Sequence, residues 1–154
     1  MNVIEFIERV PEAAAGLSSP LVDISVDGRP LREIMKDVEL PMARREGHPD
    51  IAGGYAGIEV PDSPQAYYLG REAMSWLGDS RKTVLLECNC GFPGCWPLLC
   101  EIVETDSEVR WLGFAQPHRG PESATGFWDY SGFGGFLFDK QQYLEALEAL
   151  RSTV

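Results

Sequence analysis

The sequence predicts an α+β fold: an antiparallel β-meander over about residues 83–115, packed with an N-terminal and a C-terminal helix. Three observations carry this. Two long apolar runs, Thr83–Cys90 and Cys95–Glu104, flank a Gly-Phe-Pro-Gly turn, and a third, Glu108–Phe114, follows the Thr105-Asp106-Ser107 turn. Connections that short join antiparallel neighbours, because a parallel crossover needs a dozen or more residues. Helical spacing recurs on both sides of the meander, which is the element order of an α+β protein.

Taken in order, Val3, Phe6, Ile7 and Val10 recur at i, i+3, i+4 and i+7 and predict a short N-terminal helix. Asn2 is its expected N-cap, Glu5 follows three residues later, and Pro11 is its stop. Leu21–Val26 alternates, with Val22, Ile24 and Val26 on one side and Asp23 and Ser25 on the other. That pattern predicts a half-exposed strand, closed by an Asp27-Gly28 turn. From Leu31 the period becomes helical through Ile34, Met35 and Val38, with Pro30 near the first position. Residues 40–57 read as a long loop, Gly57–Val60 as a short strand and 71–78 as a short helix. Pro97 calls for an outward-facing backbone position or a bulge in the second meander strand. Residues 116–135 read as a long aromatic, Gly-rich loop, the kind that carries function or packs as a lid. The last helix starts at the N-cap Asp139, has Gln142 at its third position, and buries Tyr143, Leu144, Leu147 and Leu150. No internal repeat or linker divides the 154 residues, so 1–154 reads as a single domain.

A formal net charge of −11 bears on partners. So acidic a chain repels phosphate backbones and anionic membrane surfaces, and no stripe of Lys and Arg compensates; neither a nucleic acid nor a membrane is expected as partner. A basic protein partner is compatible with that charge. No run approaches the roughly 18 apolar residues of a membrane helix. Met1-Asn2-Val3-Ile4-Glu5 lacks the basic start and apolar run of a signal peptide. The expected location is the cytoplasm, where thiols stay reduced.

The four cysteines therefore need another account. If Cys90 pairs with Cys95 across the turn, Cys88, Cys90 and Cys95 share one side of the hairpin and Cys100 faces the other. Three readings compete: small buried residues at a tight turn, a zinc site in which Cys88, Cys90 and Cys95 are joined by a histidine such as His118, and a Cys90–Cys95 redox pair. C-x-C-x4-C is not the usual C-x2-C knuckle spacing, so the structural reading leads and zinc is the one cofactor to test.

Gln116-Pro117-His118-Arg119-Gly120-Pro121 follows the third strand. His118 beside Arg119, with Asp129 further along the same loop, forms a weak candidate catalytic set for an enzyme with a pocket under residues 116–135. The competing reading is that these side chains tie down the loop. There is no G-x-S-x-G elbow, H-E-x-x-H or Walker-type loop, and Gly132-Phe133-Gly134-Gly135 is not a dinucleotide fingerprint.

Three segments, CGFPGCWPLL at 90–99, WLGFAQPHR at 111–119 and WDYSGFGGFLFDKQQYLEAL at 128–147, resemble a family of uncharacterised bacterial proteins. Its pattern is CGxxGCWPLL, then QPHR, then WxYxxFGPFxFDRxQY. Gly135 stands where the pattern has proline, and Lys140 where it has arginine. The resemblance implies a bacterial intracellular domain and brings no catalytic roles with it.

The leading functional expectation is a non-enzymatic interaction protein whose acidic surface recognises a basic partner, for instance an immunity-type protein. A metal- or thiol-dependent protein built on the Cys88/Cys90/Cys95 hairpin is the alternative, and the enzyme reading stands third.

Overall fold

The meander is the centre of the fold. A computed structural model describes residues 1–10, 20–72, 82–89 and 96–150. In it β6 (Lys82–Cys88), β7 (Leu98–Glu104) and β8 (Glu108–Ala115) pair antiparallel in succession. The short β4 (Tyr55–Ala56) pairs with β6, and β9 (Phe136–Asp139) pairs with β8, giving the order β4-β6-β7-β8-β9. β9 adds a strand to the expected meander; its alternation of buried Phe136 and Phe138 is that of a strand lining the core. Pro97 lies just before β7, and register shifts follow between Val84 and Leu86 and between Leu99 and Glu101.

A second antiparallel sheet is built from β1 (Ile4–Arg9), β2 (Leu21–Val26), β3 (Arg29–Pro30) and β5 (Ile58–Glu59), with β2 pairing the other three. Here the expected N-terminal helix is corrected: residues 4–9 form a strand. Ile4 and Phe6 are buried while Val3 and Ile7, two of the residues that suggest a helical stripe, are 52% and 46% exposed. Six successive pairs from Ile4↔Val26 to Arg9↔Leu21 decide the matter, since a helix this short gains little on its own and β2 needs a neighbour. Asn2 is no helix cap; its side chain donates to Asp27 at 2.8 Å and accepts from the Leu137 N–H at 2.9 Å. The Asp27-Gly28 turn is present, with φ of 52° and 81° at its two residues, as a tight hairpin of β2 and β3 requires.

α1 (Leu31–Arg45) starts after Pro30 as expected but runs well into the stretch that reads as loop. Pro41 lies inside it and costs one backbone hydrogen bond. Burial of Met35, Met42 and Ala43 along one face offsets that loss. α2 (Pro64–Tyr68) is an addition to the expected elements. Of the helix expected at 71–78, residues 71 and 72 lie in a turn and the rest fall outside the described residues. α3 (Lys140–Leu147) begins as expected, with the Asp139 carboxylate accepting the Gln142 N–H at 3.0 Å.

One core joins both sheets and the helices. At its centre the fully buried Trp111 packs edge-on against Phe136, Phe138 and Tyr143, and its indole N–H donates to the Tyr143 hydroxyl at 3.1 Å. Gln142 ties α3 to β1: its amide accepts from the Ile4 N–H at 3.1 Å and donates to the Ile4 carbonyl at 2.8 Å, as a paired strand would. Among the described residues no helix is long and apolar enough to cross a membrane.

Candidate binding cleft

Two carboxylates, Glu39 on α1 and Glu46 at its C-cap, organise the segment that follows the meander. Glu39 and Glu46 are seven residues apart, so they lie on nearly the same helix face, two turns from one another. Glu39 is fully buried. It accepts from the Gly53 N–H at 2.9 Å, from the Tyr130 hydroxyl at 2.6 Å and from the Tyr55 hydroxyl. Burial raises its carboxyl above the ordinary glutamate value, and these three bonds only partly offset that. The Tyr55 and Tyr130 phenols are raised as well, each first by burial, with the neighbouring Glu39 charge adding to it, so both remain donors. Gln116, also buried, completes the network: its Nε2 donates to the Pro97 carbonyl at 3.0 Å and the Tyr55 oxygen at 3.4 Å, and its Oε1 accepts the His118 N–H at 3.2 Å.

Glu46 does the same one level up. It accepts from Arg119 Nε at 3.1 and 3.0 Å and from the Trp128 indole N–H. Burial alone would raise this carboxyl, but the bonds and the Arg119 charge outweigh it and hold it below its ordinary value. The Arg119 guanidinium lies over the rings of Trp96 and Trp128, 5.0 and 5.8 Å from their centroids. Trp96 in turn meets Trp128 edge-on and stacks with the His118 ring at 6.2 Å.

The far side of this wall is open. Residues 127–130 alternate: Trp128 and Tyr130 are buried toward α1, while Phe127 and Asp129 are exposed. Between this segment, the residues after β8 and the end of β8 lies a cleft of about 1050 Å³, at the upper end of the range for small-molecule sites. Phe114, Phe127 and Phe133 supply aromatic walls, Gln116 and Tyr130 polar ones, and Glu122 and Asp129 exposed carboxylates.

His118, Arg119 and Asp129, singled out from the sequence, all line this cleft. His118 is exposed, and its backbone carbonyl accepts from Arg119 Nη1 at 3.0 Å. Arg119 is engaged with Glu46, and Asp129 accepts the Ser131 N–H at 2.9 Å; hydrogen bonding from the Ser131 side chain first, and then from this N–H, keeps its carboxyl below the ordinary range. What the arrangement offers chemically is a preformed aromatic and polar surface. Cys88 is half-buried at the end of β6, opposite Tyr55. Cys100 is buried opposite Thr83, and burial pushes its thiol well up. Cys90 and Cys95 lie outside the described residues, as does their expected pairing. Among the described residues no group of three or more His, Cys, Asp or Glu side chains is placed to hold a metal ion.

Sequence reasoning misses Glu39, Glu46, Tyr55 and the buried role of Gln116. One signal is there to read: Glu39 sits in the apolar stripe of Leu31, Met35 and Met42, where a carboxylate demands buried donors. Compared with known proteins, the chain matches no family model, no curated protein and no solved structure.

Proposed function

We propose that this chain is a non-catalytic, cytoplasmic binding protein that recognises a basic protein partner. The observation that carries the reading is the engagement of the cleft's polar groups within the fold. Arg119 is bound to Glu46, Gln116 to Pro97 and Tyr55, and Asp129 to the Ser131 backbone. Groups fixed in that way make a rigid recognition surface, which lowers the ordering cost of association. The net charge of −11 selects the partner's sign and speeds its approach. The test is capture from a lysate of the native host on the immobilised chain. A single basic protein retained in stoichiometric amount and released by raised salt is the expected result. Retention of nothing above a control, or of acidic proteins indifferent to salt, contradicts it.

A second reading has one observation in its favour: the His118 ring stacks on Trp96, the residue that follows Cys95. Because Trp96 adjoins Cys95 in the sequence, that contact supports His118 as the expected fourth ligand. A zinc site of Cys88, Cys90, Cys95 and His118 would be tetrahedral, with three sulfur ligands and one nitrogen. Protein purified without chelator would then carry about one zinc per chain, and His118→Ala would lower that content. Unchanged metal content in the Cys88→Ser, Cys90→Ser and Cys95→Ser variants removes this reading.

A further inference from the structure

We infer that the mouth of the cleft, where Phe127, Asp129 and Glu122 face outward, receives an arginine- or lysine-bearing segment of the partner. This rests on the basic-partner reading above and locates its contact. Phe127 is 49% exposed, a large apolar ring left open on a concave surface that the exposed carboxylates of Glu122 and Asp129 also line. An aromatic face with a carboxylate next to it is the chemistry that holds a guanidinium or ammonium group. The same segment uses it on its inner side, where Arg119 lies over Trp96 and Trp128 and pairs with Glu46. Because residues 127–130 alternate, the inward pair Trp128 and Tyr130 fixes the backbone that presents the outward pair Phe127 and Asp129.

The cations lining the cleft do not cancel this. Glu46 meets the charge of Arg119, while the Lys82 ammonium keeps its charge but is held on the β6 side by its bond to the Gly113 carbonyl at 2.6 Å. With the whole chain at −11, an incoming cation is drawn toward the protein while an anion is repelled.

The experiment uses the full chain and a fluorescently labelled short peptide of alternating arginine and leucine, read by anisotropy at low salt. The expected result is saturable binding that Phe127→Ala and Asp129→Asn each weaken by about five-fold or more. Glu33→Gln and Glu59→Gln, exposed carboxylates outside the cleft, should change it by less than about two-fold. All four positions are exposed, so the substitutions leave the core intact. Equal weakening by all four overturns the cleft mouth as the contact and leaves the basic-partner reading standing. Absence of saturable binding to the wild-type chain also overturns it; the wider reading falls only if the lysate capture fails too.

Discussion

The Tyr130 hydroxyl donates to the Glu39 carboxylate across 2.6 Å, joining residues 91 positions apart in a fully buried contact. The Tyr55 hydroxyl and the Gly53 N–H converge on the same group. Glu39→Ala leaves the buried Tyr55 and Tyr130 hydroxyls and the half-buried Gly53 N–H without their acceptor and is expected to destabilise the fold by about 3–5 kcal/mol. Glu39→Gln keeps an acceptor oxygen and should cost about 1–2 kcal/mol. Urea unfolding midpoints of the two variants measure the difference; equal losses would mean that the acceptor oxygen retained in Glu39→Gln contributes nothing, against the converging hydrogen bonds described here.

The two α1 carboxylates should give opposite pH dependences. For Glu39 the folded value lies above the ordinary 4.5, so within that window the folded chain holds a proton that the unfolded chain has released. Its contribution to stability is largest below 4.5 and falls as pH rises through the folded value. For Glu46 the folded value lies below 4.5, so its contribution is present above 4.5 and is lost as pH falls through the folded value. Unfolding free energies from about pH 3 to about pH 8, wild type minus Glu39→Gln and wild type minus Glu46→Gln, should therefore slope in opposite senses.

Much of the fold is legible because local signals agree with tertiary ones. The alternation of Leu21–Val26, the Asp27-Gly28 turn, the three meander strands and the Asp139 cap all form as the sequence implies. The N-terminus misleads because Val3, Phe6, Ile7 and Val10 satisfy a helical period, while pairing with β2 rewards a period of two. α1 outruns its sequence signal because the Pro, Gly and charged residues of 40–57 read as loop, and nothing local records the buried contacts that carry the helix past Pro41. In the site, Arg119 and the loop are visible in sequence. Their anchor Glu46 is not, because it is 73 residues away and looks like one more surface carboxylate.

Gly135 has φ of +75°, and a Cβ there would come within 2.0 Å of the Trp111 carbonyl oxygen. Proline, which the resembled pattern carries at this point, is locked near roughly −65° and cannot take this backbone. Gly135→Ala and Gly135→Pro are both expected to lower stability by more than about 2 kcal/mol, seen as a fall in thermal midpoint. Wild-type stability in Gly135→Pro would contradict the conformation described for residues 134–136.

Gln142 provides the two hydrogen bonds that a neighbouring strand would give Ile4. Gln142→Ala should cost about 1–3 kcal/mol, because the Ile4 backbone groups lose their partners on that side. Gln142→Glu, which removes the donor to the Ile4 carbonyl, should cost at least as much. Faster hydrogen exchange at the Ile4 amide in Gln142→Ala, with protection largely kept in Gln142→Glu because its carboxylate still accepts from that N–H, is the direct readout.

Residues 116–130 form a fixed wall, held to α1 by Glu39 and to its C-cap by Glu46. Hydrogen exchange at the Trp128 amide tests it most directly, since that N–H donates to the Arg119 carbonyl at 2.9 Å inside the clamp. Exchange is expected to be at least about a hundredfold slower than in an unstructured chain, with marked acceleration in Glu46→Gln. Exchange at the unstructured rate in the wild-type protein, or a rate indifferent to Glu46→Gln, would contradict it.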